Sequence, residues 1–156
     1  MLHELHIRNL GVIEEATAEF STGLSVVTGE TGAGKTMVVS SLRLLSGHRA
    51  DASRVRNGAD RASVEGIFSA DSAAVDELVE QVGGYVDDGE VIASRTVNAT
   101  GRSRAHLAGK TVAAGVLAEF AGHVITIHGQ NDQLRLLDPV RQLGALDDYA
   151  GLGEKL

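Results

Sequence analysis

The sequence has no cysteine and no tryptophan, a single proline (Pro139), and aromatic residues at only 3% of its 156 positions. Without cysteine there is no disulfide framework, and the chain suits a reducing compartment. With so few aromatics the core must be built from Val, Leu, Ile and Ala, and a hydrophobic content of 43% is enough for that. At this length one domain is expected, burying roughly two-thirds of its unfolded surface. Positive charge is also scarce. The 14 Lys and Arg against 21 Asp and Glu give a net charge of −7, which argues against a domain whose whole surface binds nucleic acid. A local basic patch is left open, because eleven of those fourteen are arginines. No apolar run approaches the roughly 18 residues of a membrane span, and Met1–His6 has no signal-peptide pattern. The expectation is a soluble cytoplasmic protein with no membrane partner. The six histidines show no zinc-like spacing with other ligands.

What the sequence does have is the stretch Leu24-Ser25-Val26-Val27-Thr28-Gly29-Glu30-Thr31-Gly32-Ala33-Gly34-Lys35-Thr36. Its second half fits G-x-x-x-x-G-K-[ST], with Gly29, Gly34, Lys35 and Thr36 in the fixed places. Leu24, Val26 and Val27 predict a short buried strand before the loop, and Met37–Leu45 predicts a helix after it. Triphosphate oxygens need several donors converging on them, and the backbone N–H groups of a tight loop supply these without bulky side chains in the way. Gly29, Gly32 and Gly34 allow positive φ and close approach to phosphate. Lys35 would reach the β- and γ-phosphates, and the Thr36 hydroxyl would bind Mg²⁺. The predicted nucleotide contacts are therefore Gly29, Glu30, Thr31, Gly32, Ala33, Gly34, Lys35, Thr36 and Met37, with ATP and Mg²⁺ as cofactors.

Elsewhere, Leu2–Ile7 and Glu14–Phe20 predict strands, the second with Ala16, Ala18 and Phe20 on one face. The helix after the loop is expected to turn Val38, Val39, Leu42 and Leu45 inward and to end at Gly47. Residues 51–60 form a polar loop. Ala62–Ala70 predicts a strand with Val64, Ile67 and Phe68 in the core, and Ser72–Val82 a helix stopped by Gly83-Gly84. Asp88-Gly89 signals a hairpin between Tyr85-Val86 and Val91–Val97. A second turn at Asn98–Gly101 leads to Ser103–Ala108, giving an antiparallel meander. Ala113–Phe120 predicts a helix with Val116, Leu117 and Phe120 inward, and Val124–Ile127 a second buried strand. That strand runs into His128-Gly129-Gln130, where a polar cluster would lie at the carboxyl edge of a sheet. Gln130 could there ligate Mg²⁺ through its amide oxygen and orient a water, or Gly129-Gln130 could be an ordinary turn. Arg54 and Arg56 cluster with Arg49 and Arg61 as a possible basic edge toward DNA or the nucleotide, or as a merely solvated connection. Gly109-Lys110-Thr111 repeats the end of the phosphate motif, but Arg104 stands where its first glycine should be.

Several of these runs, taken together, are more specific than the phosphate loop. Leu5-His6-Ile7-Arg8-Asn9-Leu10, Gly23-Leu24 and Gly29–Thr36 resemble the opening of the SMC-like, ABC-type ATPase heads. Leu44–Asp51, Val55–Gly58, Val64–Phe68, Ile127–Gln130 and Leu136–Pro139 sharpen this to a resemblance to the RecN family of bacterial DNA repair proteins. The resemblance implies an α/β P-loop NTPase head lobe with a mixed sheet and an antiparallel β meander. Residues 1–138 would be the amino-terminal lobe, and residues 139–156 the helical start of an exit toward a coiled coil. It implies ATP-driven association of two heads in double-strand break repair at the nucleoid. The partners would be the carboxy-terminal half of the same head, a second head in a homodimer, and DNA. It makes Gln130 the Q-loop residue, although Asn131 and Asp132 stand where the family usually has histidines. The signature motif, Walker B carboxylates and switch histidine are not in the sequence, so the chain is expected to be a fragment with little turnover alone. A self-contained P-loop kinase or GTPase, and a non-catalytic nucleotide-binding scaffold, are the alternatives. The first would need its own Walker B aspartate after a strand.

Overall fold

The computed structural model describes residues 1–29 and 34–127. Glu30–Ala33, Gln130, the 138/139 boundary and the helix expected beyond Pro139 lie outside the described residues. The main compact unit runs from Met1 to Thr126. Its elements in order are β1 (Leu2–Leu10), β2 (Ile13–Glu19), α1 (Lys35–Leu45), a 3₁₀ turn (Ala52–Arg54), β3 (Arg61–Ser69), α2 (Ala73–Gln81), β4 (Glu90–Asn98), β5 (Ser103–Leu107), β6 (Lys110–Val112) and α3 (Ala114–Val124). The strands form one sheet in the order β2-β1-β3-β4-β5-β6, and every neighbouring pair is antiparallel.

Local turn chemistry explains most of this order. Asp88 and Gly89 both have positive φ, and Asp87 and Glu90 exchange backbone hydrogen bonds of 3.0 and 2.8 Å. Two positive-φ residues make the turn whose twist matches that of the flanking strands. Ala108 and Gly109, at φ 50° and 80°, do the same before β6. The decoy Gly109-Lys110-Thr111 is therefore a hairpin entering an edge strand, an element the sequence reading did not contain. α2 begins where Ser72 accepts a hydrogen bond from the Val75 N–H and ends at Gly83. There the N–H groups of Gly83 and Gly84 donate to the Glu80 and Val79 carbonyls, both at 2.9 Å, a Schellman closure.

One face of the sheet carries the core. Ala62, Val64 and Phe68 of β3 alternate inward beside Val91, Ala93 and Val97 of β4, and the Phe68 ring meets Phe120 of α3 edge-on at 5.3 Å. Ile67, expected in this core, falls on the opposite face by the two-residue period and is half-buried. α1 turns Leu45 inward as its hydrophobic pattern suggests, with Val38 and Leu42 partly buried against the core, but the buried face is wider than that pattern and leaves Val39 out. Ser40, Ser41, Leu44 and Leu45 are inward, while Val39 is 45% exposed. The two serines can be buried because each donates to a carbonyl of its own helix, Ser40 to Thr36 (2.8 Å) and Ser41 to Val38 (2.6 Å).

Two predicted buried strands are absent. Leu24–Thr28 has no regular structure, and Leu24, Val26 and Val27 are 91%, 71% and 52% exposed. Val124 ends α3, whose cap is Ile125, and the residues up to Ile127 are not in a strand. Both runs have strand-forming side chains, but a strand needs a neighbour for its N–H and C=O groups. Among the described residues no strand pairs with either run. Among the described residues the sheet therefore has no parallel pair and consists of the β1–β2 hairpin joined through β1 to the β3–β6 meander.

Candidate functional site

The described end of the motif, Gly34 and the start of α1, packs against the β1–β2 turn, which is in turn bonded to the loop around Arg54. Gly11, in the β1–β2 turn at φ 57°, faces the Met37 thioether, where any added Cβ would overlap the sulfur. The Gly11 N–H donates to the Arg54 carbonyl (2.7 Å), and the Arg56 N–H donates to the Asn9 carbonyl (2.8 Å). Ile13 packs beside Gly34. The first turn of α1 is thus fixed from outside the loop as well as from within it.

Gly34 is the N-cap of α1, in the left-handed region at φ 93°. Its carbonyl accepts from the Met37 and Val38 N–H groups at 2.8 and 3.1 Å, so the helix starts firmly. Among the described residues no side chain caps this end, and the first turn holds no acidic residue, which suits an anion at a helix N-terminus. Lys35 folds back and its Nζ donates to the carbonyl of Gly29, the first glycine of the motif. Gly29 itself has φ 152°. Thr36 is exposed, as a hydroxyl offered to a metal should be. Gly29, Gly34, Lys35, Thr36 and Met37 are therefore brought together at one helix end. The donors and the lysine fit a polyphosphate, and the threonine hydroxyl fits its divalent cation. Glu30, Thr31, Gly32, Ala33 and Gln130 fall outside the described residues.

Arg54 and Arg56 have structural partners. Arg54 donates to the Ser40 hydroxyl on α1 and lies 3.8 Å from the Asp51 carboxylate. Ser40 in turn donates to the Thr36 carbonyl, so two hydrogen bonds link Arg54 to Thr36. Arg56 donates to the Val12 carbonyl (3.0 Å) and to Glu14 (3.3 Å). Asp51 accepts from the Ser53 hydroxyl and N–H at 2.7 and 3.0 Å. These bonds first, and the nearby Arg54 and Arg49 charges second, hold its carboxyl below the usual carboxylate range.

Residues 4–112, more than half of the chain, match the AAA domain family. The chain belongs to that family. Within it, the chain is 56% identical over 148 residues to DNA repair protein RecN of Streptomyces coelicolor, covering 94% of this chain and 26% of that protein. It is 53% identical over 161 aligned positions to RecN of Mycobacterium tuberculosis, covering 99% of this chain and 27% of that one. The chain thus spans about a quarter of the length of these relatives, 26–27%. Its fold is that of an Smc head lobe. A crystal structure of the Smc head domain with an extended coiled coil from Pyrococcus furiosus, bound to the C-terminal domain of ScpA, superposes with a TM-score of 0.72 at 20% identity, over 98% of this chain and 42% of that one. The resemblance drawn from the sequence therefore holds for both the relatives and the fold of this AAA-family domain. Among the described residues no helix is long and apolar enough to cross a membrane, and no cluster of His, Cys, Asp and Glu is placed to hold a metal ion.

Sequence reasoning missed the residues that brace the site: Gly11, Ile13, Ser40 and the backbone of the Arg54 loop. Ser40 was legible, four residues after Thr36 on a helix, but a serine pair inside an apolar pattern reads as a break in it. It also missed Arg95. Val91, Ala93, Arg95 and Val97 alternate, and that period sends the arginine inward.

Proposed function

We propose that this chain is the amino-terminal lobe of a RecN-like, SMC-type ATPase head that binds ATP·Mg²⁺ and works in bacterial DNA double-strand break repair, in the cytoplasm at the nucleoid. The observation that carries the reading is the start of α1, with left-handed Gly34, an uncapped first turn and Lys35 turned onto Gly29, in a chain so similar to RecN. Backbone N–H groups from Gly29 to Thr36 and the Lys35 ammonium would hold the phosphates. Thr36, with Gln130 from the end of the lobe, would hold Mg²⁺, which when bound offsets charge on the phosphate oxygens. Arg54, bonded to Ser40 midway along α1, would with Arg56 form a basic edge toward nucleotide or DNA.

The exposure of Leu24–Thr28 supports a second part of the reading. An apolar, β-branched run next to the loop is costly to leave in water. Strands from the carboxy-terminal half of the same head would pair with it and complete the site. Turnover then requires that half and a second head, because Lys35, Thr36 and Gln130 include no catalytic carboxylate.

Lys35→Ala tests the nucleotide site. A charge-assisted contact contributes roughly 1.5–3 kcal/mol, about ten- to a hundredfold in affinity. Calorimetry on folded variant protein should show ATP binding weakened by that factor, and unchanged binding would remove the phosphate-loop assignment.

A further inference from the structure

Beside the far end of α1, on β4 and at the start of α3, lies a second group of hydrogen-bond donors. α1 is 11 residues long, so this end lies roughly 16 Å from the phosphate loop. The helix closes there in a Schellman motif, with the Gly47 N–H donating to Leu44 and the His48 N–H to Arg43, both at 3.1 Å. Gly47, at φ 74°, abuts the first turn of α3. A Cβ there would lie 2.6 Å from the Ala114 carbonyl oxygen. Beside this contact lies a groove of about 800 Å³, walled by Gly47, Arg49, Asp51, Arg95, Ser103 and Ala114 among others.

Arg95 is the unusual member. It is only 4% exposed, on the core face of β4 between Val64 and Ala105 of the adjoining strands. Its Nη2 donates to the Ser103 hydroxyl (3.2 Å), but its Nε and Nη1 are buried with no hydrogen-bond partner among the described residues. A guanidinium does not shed its proton at ordinary pH, so the positive charge stays and its desolvation is uncompensated. Burial accordingly pushes its pKa below the ordinary value. Two further features favour negative charge at the same place. Ala114 begins α3, whose N-terminus has no side-chain cap, and Arg49 adds a second cation. Asp51 also stands on the wall, but its carboxylate accepts from Ser53 and faces Arg54.

We propose that this groove is a second oxyanion site, distinct from the phosphate loop, which takes a phosphate or carboxylate group against Arg95, Ser103 and the first turn of α3. A small oxyanion would use the donors that the fold leaves unmatched. The small residues around it, Gly47 and Ala114, leave the room.

The test is residue-resolved NMR titration of the 156-residue chain carrying Lys35→Ala, which weakens the phosphate loop's own anion affinity. Inorganic phosphate and succinate are added separately at constant ionic strength. Saturable shifts should converge on Ala114, Ser103 and the Arg95 side-chain N–H, with one of the two anions binding more tightly and so identifying a phosphoryl or a carboxylate ligand. Arg95→Met should weaken that binding at least tenfold. If Arg95→Met does not fold, Arg49→Ala and Ser103→Ala replace it, each expected to weaken binding severalfold. Absence of saturable shifts with both anions, or binding unchanged in these variants, would overturn the proposal.

Discussion

The meander from Arg61 to Val112 and the segment from Leu24 to Thr28 are both rich in β-branched and aliphatic residues, yet one forms a buried sheet and the other lies in water. The difference lies in their surroundings. In the meander β3 reaches β4 through α2 and the Asp88-Gly89 turn, and β4, β5 and β6 follow one another through short turns with positive φ at Gly101 and at Ala108-Gly109. Leu24–Thr28 has a turn before it and a phosphate loop after it, and no strand of the described chain runs beside it. Composition makes a segment able to be a strand; only a partner edge makes it one.

Three substitutions would sharpen that contrast. The largest effect is expected in the sheet region, where Phe68→Ala should destabilise the chain by about 3–5 kcal/mol, because it removes a fully buried ring and its edge-on contact with Phe120. Denaturant melts at matched m-values would measure this, and a loss below about 1 kcal/mol would mean the sheet's core is not where the burial pattern puts it. A smaller effect, about 1 kcal/mol, is expected from Ser72→Ala, which deletes the hydroxyl that accepts from the Val75 N–H at the start of α2. Restoration by Ser72→Asp would confirm capping as the cause. The smallest is expected in the exposed run. Val26→Thr, at a side chain 71% exposed, should change the stability of the chain by no more than about 0.5 kcal/mol. The same change should weaken association with the carboxy-terminal half, and a large stability loss in the isolated chain would mean that Leu24–Thr28 is already packed there.

The same contrast decides how much could be read without coordinates. Turn-bounded strands and capped helices were legible because the cause is local: Ser72 and Gly83 bracket α2 within a residue of expectation. The start of α1 was legible because the motif's spacing places Gly34 at the turn into the helix. Val38, Leu42 and Leu45 of α1 were legible in part, but Ser40 and Ser41 were not, since serines that bond their own helix carbonyls look polar in a sequence and behave as core. The two isolated apolar runs were misread for a different reason. Val124–Ile127 and Leu24–Thr28 have strand composition, and their fate depends on long-range partners that no local pattern reports. Arg56 shows the same limit in the site, where its bonds to Val12 and Glu14 join positions more than 40 residues apart.

An incomplete but intact nucleotide site is the central claim, and steady-state ATP hydrolysis tests it most directly. The purified 156-residue chain would be assayed alone and with the carboxy-terminal half added in trans, across a range of protein concentrations. Expected is negligible turnover from the chain alone, with activity appearing on addition of the other half and rising more than linearly with concentration as two heads meet. Robust, concentration-independent hydrolysis by the chain alone would contradict it.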